Sequence, residues 1–512
     1  MKNILKYIAI ILIAINIVSC DDDDFLTRES KDQLSSNLFW RDAADAKAAL
    51  TTAYSELEAR QNFWDGWQEG RSVIEWYRSD YMLPGVDGNN YAHWMSVFNG
   101  TYTNGHTFIN LLWKLNYNGL NYANQVIANV ALMDDAVISS AEKKQFIAEA
   151  TFLRAYYHFK LLTLYEQIVV REGVVGESDL DKALSTRSEA WSVIIRDFKE
   201  AAANLPANYS ASEIGRATKG AAFAYLGKAY LHKAGDTEAA EADDYKNAAD
   251  ALNEVIKLSV YSLDANYVSM FDGTNQNSPE SIFEIQINSP SADAYNRTNL
   301  HKFIADPMYD GWGGLEATQG LLTEMKSEGK ISTNAGYDER LYASLYYKGD
   351  YYNNNPNMQG FTWDFLANQQ YGSADAVDHK VFLRKFIPKV TWGVYNDDLN
   401  VPLMRYADVL LMRAEALNET SGTAEAITLI NTVRATHGKM PATMAVSKTD
   451  VKNQIIHERT MEFQLESSRF FDLRRWGMLD TAMNAAGRSL NSASHGYLPV
   501  PLTEVKNNSE VN

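Results

Sequence analysis

Apolar residues spaced three and four apart recur in block after block of this 512-residue chain, and that period decides its fold class. The block at 43–60 keeps Ala46, Leu50, Ala53, Tyr54 and Leu57 on one face. Further blocks run over 106–132, 142–164, 188–203, 217–233, 243–258, 402–419, 424–436 and 450–465. At 3.6 residues per turn each block lines up one apolar stripe, so each predicts an amphipathic helix. Strand-like runs are few; Ser281-Ile-Phe-Glu-Ile-Gln-Ile-Asn288 alternates with period two and predicts a strand. The fold class is mostly α, with a few short strands.

Two places predict helix pairs. Phe223-Ala-Tyr-Leu226-Gly227-Lys-Ala-Tyr230 fits the first helix of a tetratricopeptide repeat, with Phe in the place of Trp. Gly227 would let a neighbouring helix approach closely, Gly235-Asp236 would end the helix, and 243–258 would supply its partner. The stretch 402–419 followed by 424–436 is a second pair. The helices are scattered, which predicts a helical scaffold interrupted by long loops rather than a clean tandem array. The interruptions at 63–101 and 270–392 are rich in Gly, Asn, Tyr and Trp, and loops that long are usually functional.

The N-terminus carries its own chemistry. Lys2 and Lys6 precede an apolar run from Tyr7 to Val18 that is too short for a membrane span and fits a secretory leader. The run ends Ile17-Val18-Ser19-Cys20, which resembles a bacterial lipobox. Cys20 is the only cysteine, so disulfides and Cys-ligated metals are excluded elsewhere. Residues 1–19 are read as the leader, Cys20 as the lipidation site, and 20–36 as a tether opened by Asp21 to Asp24. Acidic residues directly after that cysteine resemble the surface-export signal of Bacteroidota lipoproteins. The formal net charge of -18 argues against a nucleic-acid partner, because a phosphate backbone would be repelled over most of the surface.

Several segments, in order, resemble the SusD/RagB family. They are Ala148-Glu-Ala-Thr-Phe-Leu-Arg-Ala-Tyr-Tyr-His-Phe159, Arg216-Ala-Thr-Lys-Gly220, Ser281-Ile-Phe-Glu-Ile-Gln286 and Pro402-Leu-Met-Arg-Tyr-Ala-Asp408. The stretch 427–438, Glu458-Arg459 with Glu462 and Glu466, Arg469 to Trp476, and Tyr497-Leu-Pro-Val-Pro501 complete the set. Ser467-Ser468 departs from the family's Gly-His, and the stop at Asn512 implies a frayed or shortened tail. The resemblance implies a SusD-like fold, with an N-terminal helical region at 37–265 and a C-terminal region at 266–512. It also implies an outer-membrane lipoprotein, anchored by lipid and facing the cell exterior. Such a protein captures glycan and delivers it to a SusC-like TonB-dependent transporter, and it requires no cofactor.

Catalytic readings are weak by comparison. Glu462 and Glu466 share a helical face, as a glycosidase pair would, but Arg459, Arg469, Arg474 and Arg475 crowd them. That crowding predicts a buried Arg–Glu network locking the C-terminal helix. His457-Glu458 lacks the second His of a zinc protease, no metal-ligand spacing stands out, and Asp397-Asp398 reads better as a turn than as a calcium site. No nucleophile elbow or phosphate-binding loop is present, so the chain reads as a binder and not an enzyme.

A glycan binder needs flat rings for the apolar faces of sugars and amides or carboxylates for their hydroxyls. Trp64, Trp67, Trp94, Trp312, Trp363 and Trp392 all fall in or beside the long loops. Trp312 is flanked by glycines that leave its faces open, and Trp94 neighbours Asn89, Asn90, Tyr91 and His93. These, with Asp80, are the expected ligand residues; Arg78 and Arg297 are weaker polar candidates. Trp113, Trp191 and Trp476 lie on helical faces or in the C-terminal motif and are expected in the core. Loop aromatics and amides also suit peptide capture by a helical-repeat lipoprotein, which is the second reading. A surface hydrolase, lacking an acid pair, is the third.

Overall fold

The computed structural model describes residues 39–57, 67–287, 298–331, 335–354, 358, 360–388, 393–395 and 397–511. The leader, Cys20 and the acidic tether lie outside the described residues. The first half is built from α1 (Ala43–Ser55), α2 (Trp67–Trp76), α3 (Ala92–Asn99), α4 (Thr107–Leu132) and α5 (Ser140–Leu164), then α6 (Arg187–Asn204), α7 (Lys219–Ala234) and α8 (Asp244–Lys257). The second half holds α9 (Trp363–Tyr371), α10 (Tyr406–Glu419), α11 (Thr423–Val433), α12 (Lys448–Glu462) and α13 (Arg469–Arg475). Among the described residues no helix is long and apolar enough to cross a membrane.

Local chemistry sets where the helices begin. Ser139, Thr186 and Ser447 each cap a helix through the N–H three residues on, and Glu142, Glu189 and Asp450 return the bond to the cap backbone. Each box satisfies two otherwise unpaired donors and stabilises its helix by about 1 kcal/mol. The long helices then pack in series, α4 on α5, α5 on α6, α6 on α7 and α7 on α8. Gly227 is where α7 meets α8: a Cβ there would stand 2.4 Å from Leu252 Cγ, so only glycine permits the approach. The expected pair 402–419 and 424–436 also forms, with one change. Val401–Arg405 is a strand, β6, that pairs antiparallel with β2 (Ser281–Ile285), and the helix starts only at Tyr406. The ladder ends where the Tyr406 N–H donates to Glu280 O at 2.9 Å, and this pairing overrides the helical spacing.

The stretches expected as loops contain structure. α2 and α3 occupy the first, and a four-stranded sheet takes one strand from the first and three from the second. Its strands are β1 (Met82–Pro84), β3 (Leu315–Ala317), β4 (Leu345–Tyr347) and β5 (Val381–Leu383), in the order β1-β3-β5-β4. Three-residue strands are too short to display alternation, which is why the sequence reads as loop. One cluster of buried residues extends from Ala46 to Leu498, across the division at 265. A second lies between α10, α11 and α12 around Leu410, Ile430 and Ile455. The tail is not frayed: the Asn508 amide donates to Lys182 O at 2.8 Å while its oxygen accepts from Lys182 N at 3.1 Å.

Candidate ligand-binding site

The glycine-flanked Trp312 stands where two loops are zipped together. Its own loop is fixed by backbone bonds: Trp312 N to Lys302 O at 2.6 Å, Gly313 N to Ala305 O at 2.8 Å and Gly314 N to Phe303 O at 2.9 Å. Gly311 passes so close to Ala305 that no side chain fits there. The loop leaving β1 is bonded to the same run, with Asp87 N on Gly313 O at 2.9 Å and Gly85 N on Gly314 O at 3.2 Å. Tyr77 donates its hydroxyl to Gly314 O from the core below. Two segments far apart in sequence therefore present one surface.

Trp312 is half-buried there, its ring tilted against Tyr395 with centroids 5.9 Å apart. Tyr395 is 53% exposed. Its segment is held by paired backbone bonds between Thr298 and Asp397, by His301 on Val394 O at 3.0 Å, and by Gly393 N donating to Asp310 Oδ2 at 2.8 Å. Asp310 also takes Lys302 Nζ at 2.7 Å. Burial pushes its carboxyl up, but the Lys302 ammonium and the Gly393 N–H outweigh it and hold the group below the usual carboxylate range. Asn89 and Asn90 are exposed beside this surface, and Tyr91 is half-buried. The Asn89 amide donates to Gly85 O at 2.8 Å, which fixes the side chain in place. A ring pair, two exposed amides and a carboxylate thus lie on segments bonded to one another, the kinds of group a saccharide site uses.

Other expectations are corrected. Trp94 is fully buried: α3 turns it and Val97 inward, its indole N–H donates to Glu69 Oε1 at 2.8 Å, and Phe303 meets it edge-on at 5.5 Å. Its part is to support Tyr91, whose ring lies 4.3 Å away. Trp363 is fully buried at the start of α9, stacked on Phe382 at 5.5 Å. Asp80 is buried in a two-point ion pair with Arg469, at 3.0 and 2.7 Å. Arg78 is buried over the Phe470 ring and donates to His495 O. Trp64, Trp392 and Arg297 lie outside the described residues; Trp67 opens α2, and its side chain is likewise outside them. Trp113, Trp191 and Trp476 bond Glu504, Asp236 and Glu415 through their indole N–H groups; the first two are buried and Trp476 is half-buried. The sequence reading missed Tyr395 and Asp310, although Tyr395 lies three residues after Trp392, where the expected loop ended. It also missed Phe361 and Phe365, an exposed pair stacked at 5.1 Å and 7°.

The carboxylates that resemble a catalytic pair are structural. Glu462 is buried against Arg405, Arg340 and His437, at 2.9, 3.3 and 3.0 Å, while Glu466 takes Arg405 and Lys385. Glu280 closes the ring on Arg405 and His437. The sequence-expected network exists, but with other partners: Arg459 pairs with Asp408 and Asp472, and Arg475 with Glu415 and Asp472. Glu280, His437 and Glu462 bring ligand atoms within 4.8 Å of one another, a spacing that suits a metal. Burial would depress the His437 pKa, yet Glu462 and Glu280 lift it to about 9, and Arg405 already pairs with both of these carboxylates. At the second such cluster, Glu328, His457 and Glu458, Arg434 holds both carboxylates.

The chain matches the family model described as "SusD family" over residues 279–511, and that described as "Starch-binding associating with outer membrane" over 24–231. A SusD-like protein of Formosa agariphila is 24% identical over 542 residues, spanning 99% of this chain and 97% of the relative. Among solved structures, a SusD superfamily protein from Bacteroides vulgatus superposes with a TM-score of 0.78 at 23% identity, covering 93% of this chain and 99% of the other. A structure described as a laminarin binding SusD-like protein gives 0.72 at 23% identity, covering 92% and 99%. With one family model on each half, joined by a fold shared end to end, this chain belongs to the SusD/RagB family.

Proposed function

We propose that this protein is a non-catalytic, cell-surface glycan-binding lipoprotein that captures oligosaccharide or polysaccharide at the Trp312–Tyr395 surface. The observation that carries the reading is that surface itself: an exposed tyrosine and a half-buried tryptophan on backbone-locked loops, rimmed by Asn89, Asn90 and charged Asp310. Trp67 and Trp392 are further stacking candidates. Cys20 carries the lipid that holds the chain on the outer membrane, facing outward, and 20–36 is the tether. The captured glycan passes to a SusC-like TonB-dependent transporter. The family descriptions and the laminarin-binding neighbour support these assignments.

The test is calorimetric titration with neutral gluco-oligosaccharides. Trp312→Ala should lower affinity about fivefold or more, the loss of one aromatic stacking partner, while the thermal midpoint stays near that of the parent chain. A large fall in midpoint with unchanged affinity would return Trp312 to the core. Tighter binding of peptides than of any glycan would favour the second reading.

A further inference from the structure

A cavity of about 530 Å³ opens beyond β4, at the edge of the four-stranded sheet opposite β1. The Trp312 loop enters β3 and the Asn89 loop leaves β1, so this cavity is separate from the surface described above. Its wall is a pair of half-buried tyrosines, Tyr342 and Tyr351, stacked at 4.0 Å and 23°. Tyr337 lines it as well, with Lys326 and Lys330 over its ring at 5.5 and 5.7 Å. Arg384 lines the same space; it donates to Tyr342 O at 2.6 Å and is hydrogen-bonded to the Tyr346 and Tyr352 side chains.

The charge arrangement is unusual for so acidic a chain. Most buried guanidinium groups in this protein meet a carboxylate, as Arg340, Arg405, Arg459 and Arg475 do. Arg384 meets tyrosines instead, and the neighbours acting on it are Tyr346, Tyr351 and Tyr352. Lys326 has Lys330 as its charged neighbour. Among the described residues none of the three cations forms an ion pair. Glu339 and Asp350 line the same cavity and are exposed, and among the described residues neither is ion-paired with Arg384, Lys326 or Lys330.

We propose that this cavity is a second saccharide site, and that it takes a sugar bearing a negative group, a uronate carboxylate or a sulfate ester. The tyrosine faces stack on the ring's C–H bonds, and Lys330 with Arg384 meets the anion. The site goes beyond the neutral-glycan reading and does not depend on it.

The test titrates the full chain with three probes: a galacturonate trisaccharide, a sulfated galactose trisaccharide and a neutral glucose trisaccharide. At least one acidic probe should bind, and whichever does identifies the anion. Its affinity should fall about tenfold in Arg384→Gln and about threefold in the exposed Lys330→Gln, and weaken with salt. Should Arg384→Gln fail to fold because Tyr342 O loses its donor, Lys330→Gln carries the result. Binding of the neutral probe should be the same in Lys330→Gln as in the parent, and acidic binding should survive Trp312→Ala. The proposal falls if neither acidic probe binds more tightly than the neutral one, or if acidic binding is lost in Trp312→Ala and kept in Lys330→Gln. Failure of the neutral probe alone would count against the Trp312 surface and leave this site standing.

Discussion

His437→Gln removes the imidazolium from between Glu280 and Glu462, in the most enclosed part of the C-terminal network. Both contacts are 3.0 Å and all three side chains are buried. The native pKa is about 9 against an ordinary 6.5. Because the folded value is the higher one, the stabilisation is fully present below pH 6.5 and is lost as pH rises through about 9. At 1.36 kcal/mol per tenfold change in proton affinity, the gap corresponds to about 3 kcal/mol. Unfolding entropy near 2.1 cal/mol/K per residue gives a chain this long roughly 1 kcal/mol per degree, so the thermal midpoint should fall by about 3 °C. The assay is scanning calorimetry of parent and variant from pH 6 to 9.5. The gap between the two midpoints should be widest at pH 6 and narrow towards pH 9.5. Taking the difference cancels the titrating groups that do not touch His437, so a gap that stays constant across the range would refute a charge-based role. It would show that His437 acts by packing alone.

Two further outcomes follow from buried geometry. Gly227→Val forces branched carbon atoms into the space of Leu252, so denaturant titration should show a loss of about 2 kcal/mol or more, with ligand affinity retained. Asp80→Asn breaks the two-point pair with Arg469 and should lower stability by about 2 kcal/mol while leaving neutral-glycan affinity unchanged; a selective loss of affinity would restore Asp80 to the ligand site.

The sequence by itself determined the long helices and the family, because their patterns are legible among near neighbours. A 3.6-residue period acts within one or two turns. Gly227 was legible for the same reason, as a gap in one face of one helix. It marked 458–476 as a belt of ion pairs but assigned the partners by proximity along the helix. The structure gives Glu462 and Glu466 to Arg405, 57 and 61 residues away, and Arg469 to Asp80, 389 residues away. The aromatic residues divide the same way. Trp94 and Trp312 look alike in sequence, each beside small or polar residues. One sits on a short helix that turns it into the core, and the other on a loop bonded to 302–305 that holds it at the surface. Which side of the chain becomes the inside is a property of the packed whole, so only the tertiary structure separated the ring that fills the protein from the ring that faces out.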